Sequence, residues 1–280
     1  MMQRTSGSLI EWLIPLAFIF CAGWAIWHMP AYILTWFPHE NESMFGQVSA
    51  IFDRNDVTPN LTPLFGKIDI VDLVTLLLVP VLFIAGAMTV RRANMEFEHW
   101  RSVDRAAMFI GRVTMMLVVL LTSVMLYEVF LRYVLERPTL WANELSLWLA
   151  GFVFLMAGLY AMQQRSHIRI FLLYDVCPRW VQRLFDCITT VLIVMFAFFL
   201  VYGSYKQVFE NKLYKWETFG TAFDPPIPAT LQPLVLIMIS LVAVQAVLNL
   251  ISDWNAEPEI HDDTPDEDEI QALKRAVGQD

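Results

Sequence analysis

Six apolar runs of membrane-spanning length punctuate this chain, each ending in a short polar segment. A spanning helix needs ~20 mostly apolar residues, because a helix in lipid satisfies its own backbone hydrogen bonds. The first run, Leu13 to Phe37, carries no formal charge; the second, Leu73 to Val90, is entered through Asp69 and Asp72 and left at Arg91 and Arg92. The pattern predicts further spans over about 107–131, 145–164 and 187–205. The sixth, at about 230–251, falls inside the uncharged stretch Pro225 to Ser252. No run alternates polar and apolar residues as a barrel strand would. The expected fold is therefore an all-α integral membrane protein of six transmembrane helices with short interfacial helices.

Organisation follows from where the runs fall. Residues 1–95 form an N-terminal extension with two helices (about 13–37 and 70–90), 96–252 a four-helix core, and 253–280 a polar tail. A cleavable signal is the competing reading of the N-terminus, with Arg4 before an apolar run. That run exceeds the 7–15 residues of a signal's apolar core, and no small-x-small cleavage pattern follows closely, so a retained helix is expected.

Composition agrees with the pattern: 57% hydrophobic and 17% charged residues, with a mean hydropathy of +0.50, against about 45–50% and about 25% in soluble domains. Charge changes the picture only at one end. Asp253 to Asp280 holds ten acids and two bases, or −8 of the total −9, so the rest of the chain sums to −1. The acidity belongs to the tail, and nucleic acid is not among the expected partners. Cys21, Cys177 and Cys187 form no close pair, which points to neither a disulfide framework nor a metal site.

Loop arginines and lysines set the expected orientation. With the N-terminus inside, ten of them (Arg4, Arg91, Arg92, Arg101, Arg105, Arg112, Arg165, Arg169, Arg179 and Arg183) face the cytoplasm and seven face outward. Both termini are then cytoplasmic.

Candidate chemistry is sparse. His28 is the histidine placed at membrane depth, and its expected role is packing or interfacial contact. HENES at 39–43 lacks the second histidine that a zinc-protease helix needs. After the fourth span, Ile168, Phe171 and Leu172 share a face of an expected interfacial helix, in which His167 meets headgroups. In the tail, Thr264, Pro265 and Glu267 open a further short amphipathic helix. Small residues of the fourth span, Gly151 and Gly158 among them, share a face suited to close helix approach.

The most informative stretch is the polar elbow between the third and fourth spans, RYVLERPTLWANE. Glu128 and Arg132 stand four apart with the acid first, the favourable order for an intrahelical ion pair. Pro138 breaks the chain before Trp141 and Glu144, and a carboxylate in a first helical turn is favoured by the helix dipole. The sharper reading makes Trp141 and Glu144 a docking surface for another membrane helix.

The order of these features resembles the small permease subunit of the TRAP transporters, the DctQ family. The resemblance rests on Arg132 and Tyr133 closing a span, on Pro138, Trp141 and Glu144 opening the next, and on Arg165, His167 and Ile168 after it. The four spans from about 107 to 252 then correspond to the family's four-helix core. Phe171 stands where an acidic residue is common, and the first two helices extend beyond the usual core. The resemblance implies a subunit that packs as a scaffold beside a large permease and helps receive a periplasmic substrate-binding protein. The assembly takes up an organic acid, often a carboxylate, with a sodium gradient across the bacterial inner membrane. Arg132, Tyr133, Trp141, Glu144 and His167 become candidate partner-interface residues, with membrane lipids around them. No catalytic residue, cofactor or metal is expected, and the chain is not expected to be an enzyme. A scaffold of another membrane complex and a self-sufficient channel or transporter are the alternatives.

Overall fold

A computed structural model describes residues 9–36, 68–91, 96, 102–165 and 177–254. The HENES loop, the interfacial segment with His167, Ile168 and Phe171, and the tail helix lie outside the described residues. Among those described, the secondary structure is helical throughout: α1 (Leu9–Trp27), α2 (Met29–Trp36), α3 (Ile70–Thr89), α4 (Arg105–Tyr133), α5 (Ala142–Gln163), α6 (Arg179–Lys206) and α7 (Ile227–Asp253). Five of these, α3 to α7, are long and apolar enough to cross a membrane, α6 continuing through a π-helical turn at Gln207–Leu213.

The first expected span is divided. Its apolar helix ends at Trp27 and restarts at Met29, with His28 between them. Pro30 explains the break, because its ring would clash with the carbonyl four residues back and it has no N–H to donate. The Ala31 and Tyr32 N–H groups turn back onto the His28 carbonyl instead, at 3.0 and 3.4 Å. At α3, Asp69 and Asp72 form a reciprocal capping box, each carboxylate accepting from the other's backbone N–H at 2.9 and 3.0 Å. The helix α6 begins eight residues before its apolar run, since Pro178 presets the entry and the polar turn RWVQRLFD is itself helical.

The contacts arrange the helices as an antiparallel set. Glu11, Arg91, Arg112, Tyr160, Arg165, Arg179 and Asp253 meet at one end, here the arginine end. Trp27, Trp148, Phe223, Glu144 and Thr221 meet at the other, the elbow end. The paired helices α1 and α3 lie against α4, α4 packs on α5, α5 on α7, and α7 on α6. The extension is held to the core by an aromatic cluster, with Phe109 of α4 edge-on to Phe18 at 5.5 Å and to Phe83 at 5.6 Å. Two polar side chains of α7 stitch the arginine end. Gln245 donates to the Asp104 carboxylate at the start of α4, and Asn249 to the Met162 carbonyl at the end of α5, both at 2.7 Å.

The small-residue face of α5 is used unevenly. Gly151 packs against Leu231 of α7, whereas Gly158 opens on empty space. Glycine is also needed against two rings, at Gly86, where an added Cβ would overlap Phe109, and at Gly111, where it would overlap Tyr160. Gly111→Ala is expected to lower stability by about 1–3 kcal/mol through overpacking. Gly158→Ala should leave it level or raise it by up to about 1 kcal/mol through helix propensity. Equilibrium unfolding of the two variants in mixed micelles checks the contrast.

Candidate functional site

The elbow is built around one buried carboxylate. Glu128, 2% exposed, sits one turn before the end of α4 and accepts from Arg132 through both Nε and a terminal nitrogen, at 3.1 and 2.6 Å. Its other oxygen accepts from the Thr139 backbone N–H at 3.1 Å and from the Thr139 hydroxyl. The expected ion pair is therefore present, and its carboxylate also ties the returning strand of the elbow to α4. The turn between them uses a left-handed backbone at Glu136 (φ 52°), and the Arg137 N–H closes onto the Leu131 carbonyl at 3.0 Å. Thr139 carried no signal beyond being polar. Only the fold brings it eleven residues back onto Glu128.

The remaining elbow candidates occupy the same end. Tyr133 is 76% exposed, and Leu140 almost equally so. Trp141 leans against Tyr127 of α4 with ring centroids 6.1 Å apart. It stands at the N-cap position of α5 without a side-chain cap, so Glu144 falls in the first helical turn as the dipole argument requires. Glu144 accepts from the Thr221 hydroxyl at 2.6 Å across to the connector between α6 and α7. That connector is anchored further by Phe223, stacked on Trp27 at 6.0 Å, and by Asp224, which accepts from the Gly220 N–H at 2.6 Å. The elbow end thus presents exposed aromatic and aliphatic side chains on a frame fixed by Glu128, Glu144 and Thr221. His167 lies outside the described residues.

Two buried polar networks were not evident in the sequence. At the arginine end, Arg112 reaches Glu96 at 2.7 and 3.1 Å, the Arg91 carbonyl at 2.9 Å and Glu11 at 3.7 Å. Tyr160 donates to Glu96 at 2.9 Å, and the Arg91 N–H to Glu11 at 3.2 Å. One arginine thereby joins α1, the linker after α3, α4 and α5. At the elbow end of the extension, Asp72 accepts from Trp24 Nε1 at 2.8 Å, and His28 Nδ1 lies 3.9 Å from the same carboxylate. His28 also stacks on Trp24 and donates from Nδ1 to its carbonyl at 3.0 Å. His28 is thus a buried member of a polar cluster, consistent with packing but not with isolation.

Chemically, these groups hold helices together. Each buried carboxylate is engaged by protein donors, the pattern that makes buried charge tolerable. Among the described residues, no three His, Cys, Asp or Glu side chains gather as metal ligands would. Comparison with known proteins gives one match. The family model described as "Tripartite ATP-independent periplasmic transporters, DctQ component" matches residues 121–256, from the second half of α4 to just past α7. No curated protein and no solved structure matches the chain.

Proposed function

Residues 121–256 belong to the DctQ component family of the tripartite ATP-independent periplasmic transporters, and from that membership we propose how this multi-pass chain works within such a transporter. It packs beside a large permease as a fixed scaffold. The permease moves an organic acid, a carboxylate by class, with a sodium gradient, and a periplasmic substrate-binding protein delivers it. The chain lies in the bacterial inner membrane with its arginine end and both termini in the cytoplasm, which agrees with the rule that basic residues stay inside. The elbow end then faces the periplasm, the side from which the binding protein arrives.

The observation that carries this reading is the family match over the elbow and the three helices that follow it. The geometry supports the elbow as the contact with the permease. Tyr127 and Tyr133 are exposed and Trp141 is half-buried, and the carboxylates at its base are held by the chain itself, so the frame is set before a partner arrives. Tyrosine and tryptophan are the residues that most often dominate interface energetics.

The test is affinity purification of the tagged chain from its native membrane in mild detergent, followed by mass spectrometry of what accompanies it. A polytopic permease in near-equal amount is expected. Recovery of the folded chain alone would overturn the reading and point to a self-sufficient function. Replacing Trp141 and Glu144 together by alanine is expected to weaken permease association about tenfold or more, the loss typical of a tryptophan anchor. Unchanged co-purification of that variant would remove the elbow from the interface.

A further inference from the structure

The chain leaves α7 through a cluster of arginines. Arg165, after the end of α5, holds the Asp253 carboxylate at 2.7 and 2.8 Å, and Arg179, at the start of α6, donates to the Asp253 carbonyl at 3.0 Å. One residue further on, the Arg183 guanidinium lies 5.4 Å over the ring of Trp254, the last described residue before the tail. The Arg183 Nε is buried without a hydrogen-bond partner. A buried donor left unmet is costly, so this cation has capacity for a further acceptor. With Asp253, and Asp186 one turn along α6, set against Arg165, Arg179 and Arg183, the cluster keeps one positive charge. The segment that begins beside it, Asn255 to Asp280, carries nine acids and two bases.

We propose that this cluster seats the chain's own acidic tail, with the carboxylate of Glu257 or Glu259 on Arg183, as a clasp across the ends of α6 and α7. Reach agrees. An extended chain covers at most about 3.5 Å per residue, so Glu257 and Glu259 can stand up to about 10 and about 17 Å from Trp254. Arg183 already lies over the Trp254 ring, well inside that radius. A carboxylate on so short a tether has a local concentration of about millimolar, which favours it over a free competitor. Charge complementarity selects the seat. Other arginines of this end are met within the bundle, Arg112 by Glu96 and Glu11, and Arg105 by the Met88 carbonyl. The clasp also falls where the bundle is least enclosed, because α6 stands at its edge against α7. A bridge from Arg183 to the chain leaving α7 fastens the first turns of α6 and shields the cluster from anionic headgroups. The contact needs only the helix bundle and holds apart from the transporter reading.

The test is zero-length cross-linking of the full chain carrying Arg183→Lys in phosphatidylcholine nanodiscs, with a carbodiimide joining amine to carboxylate and mass spectrometry of the peptides. The introduced amine is expected to join Glu257 or Glu259. Raising salt from about 0.01 to about 1 M shortens the screening length from about 30 to about 3 Å and should lower that yield severalfold. In the wild-type chain, phenylglyoxal reads Arg183 directly. Glu257→Gln with Glu259→Gln is expected to speed its modification about fivefold, the upper range for one exposed ion pair. Cross-links to Asp253 or Asp186 alone overturn the proposal, since both already stand beside the cluster. So does a modification rate that the two tail substitutions leave unchanged. Exchanging half of the phosphatidylcholine for phosphatidylglycerol tests the other source of an acceptor. The tail cross-link is expected to persist, and its disappearance would assign Arg183 to a lipid phosphate and overturn the clasp.

Discussion

Arg112→Ala is expected to destabilise the folded chain by about 3–5 kcal/mol, the cost of breaking a buried ion pair from one side. The substitution leaves Glu96 without its 2.7 Å partner and Glu11 without the guanidinium 3.7 Å away, both carboxylates remaining buried. It also frees the Arg91 carbonyl. Arg112→Lys should recover part of the loss, since an ammonium keeps the charge but cannot divide its donors among Glu96, Glu11 and a backbone carbonyl as the guanidinium fork does. Neutralising all three groups at once, with Arg112→Met, Glu11→Gln and Glu96→Gln, is expected to be milder than Arg112→Ala alone. Desolvation of a buried ionic cluster offsets most of its attraction, so the cluster fixes which helices meet more than it stabilises them. Equilibrium unfolding in mixed micelles reads all three. A loss below about 1 kcal/mol for Arg112→Ala would show that the extension is not held at this point.

This network shows what the sequence reveals and what it leaves hidden. Long apolar runs mark α3 to α7, because a spanning helix needs only local composition to declare itself. The Glu128–Arg132 pair was legible for the same reason, since a spacing of four on one helix is a local geometry. Thr139, Thr221 and Glu96 were not, because each acts on a residue brought near by a turn or by helix packing. Glu11 and Arg112 stand 101 positions apart and look like ordinary flanking charges until α1 is laid against α4. The glycines make a similar point. Periodicity places Gly151 and Gly158 on one face, but only the position of α7 decides that the first is covered and the second is open. The division of the first run at His28 was foreshadowed by Pro30, although a proline inside a membrane helix does not by itself decide between a kink and a break.

The opposite end of the extension supplies the second large effect. Asp72→Ala is expected to cost about 2–5 kcal/mol, because two donors lose their acceptor in a buried setting at about 1–3 kcal/mol each. These are Trp24 Nε1, at 2.8 Å, and the Asp69 N–H, at 3.0 Å. The second also dismantles half of the capping box that starts α3. Trp24→Phe removes the indole donor and leaves the carboxylate its backbone partner, so its cost should be smaller, about 0.5–1.5 kcal/mol for one hydrogen bond. The double variant then measures the bond itself. If the indole and the carboxylate act on one another, the costs of the single variants exceed that of the pair by about 0.5–3 kcal/mol. Strict additivity would mean that the indole–carboxylate bond does not hold α1 to α3, leaving that to apolar contacts such as Ala25 with Leu76 and Val79 and to α2, whose Tyr32 hydroxyl donates to the Asp72 carbonyl at 2.7 Å. Coupling at Asp72 together with a large loss at Arg112 would instead fix α1 at both membrane faces, to α3 at one and to α4 and α5 at the other. The extension would then be a built part of the helix bundle, held at both ends of α1.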